Sequence, residues 1–107
     1  MLRHIISNTE LPLRYNDEEL KKVVMDCIKD CAIHFDSRTL LGLVRYRAEI
    51  DNQFLKEPNT DYSTISLTKD DCTRISKVLW DLIFERKIIV ELFHERPTES
   101  PFYFTKI

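Results

Sequence analysis

Hydrophobic positions recur at helical spacing in three segments of the chain. The first segment follows Asn16, which is suited to cap a helix because Glu19 stands at the third helical position, as in a capping box. Apolar residues then fall on one helical face: Leu20, Val23, Val24, Cys27, Ile28 and Cys31. This pattern predicts a helix over residues 17–32.

Two further segments show the same spacing. Asp36 or Ser37 is suited to cap the second helix, which we expect to end between Ile50 and Phe54. Thr68 begins the third helix, with Asp71 in the position of a weaker capping box. The predicted core residues are Leu40, Leu41, Leu43, Val44 and Ala48 in the second helix, and Cys72, Ile75, Leu79, Leu82 and Ile83 in the third. The polar stretch between these helices, residues 51–66, predicts a loop that can include a short strand near 65–67.

Apolar and β-branched residues dominate the last part of the chain. Residues 88–93, IIVELF, and 102–107, FYFTKI, predict two strands, and the Pro-containing segment 94–101 predicts the loop that joins them. Residues 1–15 are too apolar for a disordered tail, so we expect an N-terminal arm that packs on the domain as an extra strand or a short helix. The pattern therefore predicts an α+β protein with an arm at 1–15 and one domain at 16–107.

The order of these elements resembles the winged-helix superfamily over residues 16–107. The stretch VLWDLIFERKIIVEL is similar to the third helix of that family where it runs into the wing hairpin. The resemblance implies a three-helix domain with a C-terminal β-hairpin wing, in which residues 69–87 are the equivalent of the recognition helix and 94–101 form the wing tip. It also implies DNA binding, because the family commonly inserts its third helix into the major groove.

The charge of the chain does not favour nucleic acid as the partner. The formal net charge is -2 and the pI is about 5.9, whereas nucleic-acid affinity rests on clustered Lys and Arg. The predicted outward residues of the third helix are Asp70, Thr73, Arg74, Lys77, Asp81, Phe84 and Glu85, with Trp80 on the flank, and they include one more acid than base. The residues available for DNA binding are Arg38, Arg45, Arg47, Arg74, Lys77 and Arg96.

An aromatic pair stands out on the third helix. Trp80 and Phe84 are four residues apart and therefore share one side of the helix, away from the core stripe. Three interpretations remain open: the arm or the wing hairpin covers the pair, the pair is an exposed anchor for a protein partner, or it stacks on bases. The residues predicted to bind a protein are Trp80, Phe84, Arg74, Lys77 and Asp81.

The sequence predicts no catalytic residue, no metal site and no cofactor. Cys27, Cys31 and His34 have a C-x3-C-x2-H spacing, but zinc would require a fourth ligand. Cys31 lies on the core stripe of the first helix, where a thiol is inert. The three cysteines favour thiols buried in a reducing cytoplasm, and we expect no signal peptide and no membrane span.

These observations predict a small non-enzymatic cytoplasmic module that binds a protein partner. An immunity- or antitoxin-type inhibitor of a basic toxin or effector fits this prediction, and so does an adaptor, because binding a basic partner requires a complementary acidic surface. The alternative is a winged-helix DNA-binding transcriptional regulator, dimeric through the N-terminal arm. Protein binding would depend on Trp80, whereas DNA binding would depend on Arg45, Arg47 and Lys77.

Overall fold

The computed structural model describes residues 4–6, 8–91 and 103–107. This part of the chain contains the helices α1 (Asp17–Asp30), α2 (Ser37–Ile50) and α3 (Lys69–Phe84). The strands are β1 (His4–Ile6), β2 (Thr9–Leu11), β3 (His34–Asp36), β4 (Thr60–Tyr62), β5 (Ile65–Leu67), β6 (Ile88–Glu91) and β7 (Tyr103–Lys106). The mixed α+β class that the sequence predicts is therefore confirmed. No described helix has the length and apolar character needed to cross a bilayer.

Side-chain caps fix where the three helices begin. Asn16 accepts a hydrogen bond from the backbone of Glu19 at 2.8 Å, and the Glu19 carboxylate accepts one from the Asn16 backbone at 3.0 Å, so the predicted capping box is present. Asp36 caps α2 and Thr68 caps α3. The first helix ends at Asp30, two residues earlier than predicted, because the backbone is already extended at Cys31.

A three-stranded antiparallel sheet has the order β3-β7-β6. Phe104 of β7 lies opposite both Phe35 of β3 and Val90 of β6, and the two phenylalanine rings stack with centroids 5.4 Å apart. Phe35, Phe104 and Ile88 are buried, so one face of this sheet belongs to the core. The predicted strands at 88–93 and 102–107 correspond to β6 and β7, whereas the predicted loop at 94–101 lies outside the described residues.

The N-terminal arm forms strands, one of the two structures that its composition left open. β1 pairs in parallel with β4, β2 pairs in parallel with β5, and Leu13 bridges Phe54. The sequence missed β4, which lies inside the segment predicted as a loop. Because this segment is polar, it lacks the alternation of apolar and polar residues that indicates a strand. The backbone of β1, in the arm, pairs with residues 60–62 and makes them a strand.

Residues from the three helices and from the strands share one hydrophobic core. Ile75, Leu79 and Leu82 of α3 are buried as predicted, whereas Cys72 and Ile83 are half-buried at the edge of the core. The buried residues that fill the space between α1, α2 and α3 are Leu20, Val23, Val24, Leu40, Val44, Ala48 and Val78. Val78 is the α3 core residue that the predicted stripe lacked.

Asp71 is the one buried acid among the described residues, with 4% of its surface exposed. One carboxylate oxygen accepts hydrogen bonds from the Leu13 backbone at 2.9 Å and from the Thr68 hydroxyl at 3.0 Å. The other oxygen pairs with Arg74 at 2.9 Å. Arg74 in turn donates to the Tyr15 carbonyl at 2.7 Å and to the Asp17 carboxylate at 3.0 Å. This network joins the arm, the start of α1 and the start of α3.

We expect Asp71→Ala to lower the free energy of unfolding by about 2 kcal/mol, because the change leaves the backbone N–H of Leu13 without its buried acceptor and removes one of the carboxylates that pair with the half-buried Arg74. Urea denaturation measures the loss. Asp70→Ala is the matched control, since it removes an exposed acid from the same helical turn, and we expect a change within about 0.5 kcal/mol. Equal effects of the two substitutions would contradict the role given to the network.

Candidate protein-binding surface

The aromatic pair on α3 is exposed to solvent. Trp80 is 53% exposed and Phe84 is 81% exposed. Thr73 and Lys77 lie on the same side of the helix and are also exposed, and we call the surface formed by Thr73, Lys77, Trp80 and Phe84 the aromatic patch. The described strands of the arm pair with β4 and β5 and leave this patch open.

Trp80 also borders a small cleft between α3 and the sheet. Leu79, Ile83, Val90 and Phe104 supply its apolar walls, and the cleft has a volume of about 90 Å³. Ser37 and Ser76 line it as well. Pockets that enclose a small-molecule substrate are usually several times larger, on the order of 300 Å³ or more. The size and lining of this cleft suit a single apolar side chain.

A more polar groove of about 330 Å³ separates α3 from α1. Its cations are largely engaged within the chain, because Arg74 pairs with Asp17 and Asp71, and Lys21 pairs with Glu85 at 2.8 Å. The Lys21–Glu85 hydrogen bond raises the pKa of the lysine and lowers the pKa of the carboxyl.

The remaining charges of the groove are Glu18, Lys77 and Asp81. They form no salt bridge with the described residues, which leaves two acids and one base for a ligand.

The five residues predicted to bind a protein therefore do not share one environment. Trp80, Phe84 and Lys77 belong to the aromatic patch, and Asp81 lies beside it in the polar groove. Arg74 is half-buried and tied to the arm and to α1. The helical period correctly placed its Cα away from the core stripe, but the long side chain turns toward α1.

Most of the arginines considered for DNA binding also have partners within the chain. Arg45 donates to the Ile65 carbonyl at 3.1 Å and pairs with Glu49 at 3.1 Å, and Arg47 pairs with Asp51 at 2.8 Å. The hydrogen bond from Arg47 lowers the pKa of Asp51, and the Tyr15 hydroxyl contributes in the same direction. Arg38 is exposed.

Three of these basic residues are held in place by partners within the chain. Arg45 and Arg47 are held on α2 by acids one helical turn away, and Arg74 is held between α1 and α3. Arg96 lies outside the described residues.

The cysteines and histidines do not form a reactive cluster in the described chain. Cys27 and Cys31 are buried, and burial raises the pKa of Cys27 to about 11. The His34 ring lies on the opposite face of the sheet from the buried Phe35, with Nδ1 3.0 Å from the Thr105 hydroxyl. No group of three or more possible metal ligands occurs among the described residues.

We expect the Cys27 thiol to resist alkylation in the folded protein at neutral pH, since thiolate is scarce when burial raises the pKa to about 11. Mass spectrometry after timed iodoacetamide treatment measures the modification of each cysteine. The half-buried Cys72 is the internal control and should react faster, and denaturant should make the rates equal. Rapid native labelling of Cys27 would contradict its position in the core.

Comparison with known protein families, with curated proteins and with solved structures found no match to this chain. A functional proposal therefore rests on the chemistry of the chain's own surface.

Proposed function

We propose that this chain is a winged-helix-like, non-enzymatic binding module that recognises a protein partner through the aromatic patch. The observation that carries the proposal is the exposure of Trp80 and Phe84, 53% and 81%, side by side on one helical turn. Leaving two large aromatic side chains in water is unfavourable for an isolated domain, whereas a partner that buries them gains their apolar area. Tryptophan is also enriched among the residues that dominate binding energy.

The arrangement of the sheet supports the winged-helix part of the proposal. The hairpin strands β6 and β7 directly follow α3, and β7 also pairs with β3, which lies between α1 and α2. This is consistent with the element order on which the resemblance rests. The wing and its tip are proposed for residues 88–107 on the same basis.

The partner that fits this surface carries an apolar side chain within a basic region. The apolar group would enter the cleft beside Trp80, where Ile83 and Val90 supply the walls. Basic groups would approach Glu18 and Asp81, the two acids of the neighbouring groove that form no salt bridge in the described chain. A basic toxin or effector has this chemistry, so the chain would act as an immunity- or antitoxin-type inhibitor, or as an adaptor.

DNA binding is the alternative, and the charge distribution supports it less well. Arg45, Arg47 and Arg74 would have to give up carboxylate partners before they could contact phosphates. Of the described basic residues that DNA binding would require, Arg38 and Lys77 are the two that form no salt bridge with a carboxylate. The exposed Asp70 in the first turn of α3 would repel a phosphate backbone.

We expect a photo-crosslinking amino acid at position 84 to capture a protein partner in the source cells, whereas the same group at the exposed position 56 should not. The captured protein is then purified and titrated against the wild-type chain by calorimetry. Trp80→Ala should weaken binding by about 2 kcal/mol or more, as expected for a central aromatic anchor. Lys56→Ala is the matched control and should leave the affinity unchanged.

Phe84→Ala shows whether a loss of affinity reflects the surface and not the fold. Because the Phe84 ring is 81% exposed, we expect the Phe84→Ala chain to unfold with a free energy within about 0.5 kcal/mol of the wild type. Binding to the partner should weaken nonetheless. The single tryptophan offers a further signal, since its emission should shift to shorter wavelength when the partner covers the patch. A partner that binds the Trp80→Ala chain with wild-type affinity would refute the proposed surface.

We expect no saturable binding to a labelled generic DNA duplex in fluorescence anisotropy at low salt, because Arg45, Arg47 and Arg74 are engaged within the chain. Binding that falls steeply as salt is added would instead support the regulator. In that case Arg38→Ala and Lys77→Ala should each reduce both the affinity and its salt dependence.

A further inference from the structure

Strand β6 has an open edge. Within the described ranges it forms a ladder with β7 alone, on one side. The opposite edge of the same sheet is formed by β3, which runs directly into α2 at Ser37. Among the described residues the outer edge of β6 has no partner strand, so the sheet can accept another strand there.

The pairing of β6 with β7 shows which backbone groups face the open edge. Ile107 donates to the Lys87 carbonyl at 3.2 Å, and hydrogen-bonded pairs alternate along an antiparallel ladder. The backbone groups of Lys87, Ile89 and Glu91 thus face β7. The N–H and C=O groups of Ile88 and Val90 point outward, where no described strand pairs with them.

We propose that the occupant of this edge is β6 of a second copy of the chain, paired antiparallel about a two-fold axis at Ile89. In this register Ile88 lies opposite Val90 of the second copy, and Val90 lies opposite its Ile88. All the outward backbone groups of both strands then meet in hydrogen-bonded pairs. Two three-stranded sheets become one sheet of six strands.

The side chains favour this register through charge complementarity. Lys87 of each copy lies opposite Glu91 of the other, which gives two cross-strand ion pairs related by the axis. Between them the two Ile89 side chains meet, and each is 53% exposed in the single chain. Identical strands therefore have complementary ends and a shared apolar centre.

Neighbouring registers lack these features. A shift by two residues in one direction places Lys87 opposite Ile89, and a shift in the other direction places Glu91 opposite Ile89. A shift by one residue sets outward backbone groups against groups that already bond β7. The register centred on Ile89 is the one that satisfies both the backbone and the charges.

Sedimentation velocity on the purified chain, over a range of concentrations, tests the proposal. The wild type should approach twice its 12.8 kDa mass as the concentration rises. Lys87→Glu and Glu91→Lys should each weaken the dimer on the order of tenfold, because each makes both cross-strand pairs repulsive. The double variant K87E/E91K should recover the wild-type affinity, since the pairs are attractive again with their signs exchanged.

Ile89→Lys is a further variant and should give a monomer with an unchanged circular dichroism spectrum, because it places two lysines against each other on a solvent-exposed position. A wild type that stays monomeric at every concentration would overturn the proposal. So would a dimer that is unaffected by the three single substitutions, because the contact would then lie elsewhere, such as on the N-terminal arm. The assay contains no other protein, so its outcome is independent of the proposed partner of the aromatic patch.

Discussion

The buried carboxylate of Asp71 holds together parts of the chain that are distant in sequence. It binds the backbone of the arm at Leu13, the hydroxyl of Thr68 and the guanidinium of Arg74, which continues to the start of α1. A charge with 4% exposure is tolerated in a core when its oxygens are satisfied. Removing any one of these partners leaves another buried polar group without a hydrogen bond. The positions of the arm, α1 and α3 therefore depend on one another.

The same network explains why the aromatic patch remains free. One side of α3 packs into the core through Ile75, Leu79 and Leu82, and a second side is turned toward the arm and α1 by Asp71 and Arg74. A third side faces the sheet across the cleft lined by Ile83. What remains is the side with Trp80 and Phe84. Trp80 stays about half exposed and Phe84 mostly exposed, so this surface is available for a partner.

Charge pairing within the chain has a comparable consequence for function. Arg45 and Arg47 of α2 and Arg74 of α3 pair with carboxylates on neighbouring turns or helices, and these contacts hold the side chains close to the protein surface. By contrast, two acids that line the groove between these helices, Glu18 of α1 and Asp81 of α3, form no salt bridge with a described residue. A chain with nearly balanced composition thus presents a locally acidic border next to an apolar anchor, which is the pattern that complements a basic protein.

Local sequence determined the helices, their caps and the class of the fold. The capping box at Asn16 and Glu19, the start of α3 at Thr68 and the placement of Trp80 and Phe84 away from the core all follow from short-range spacing, because a helix repeats every 3.6 residues. Only the tertiary structure decided the partners of β4, the inward turn of Arg74 and the burial of Asp71. These depend on residues about 55 to 60 positions apart, such as Leu13 and Asp71, and no local pattern specifies which distant backbone group will meet a polar side chain.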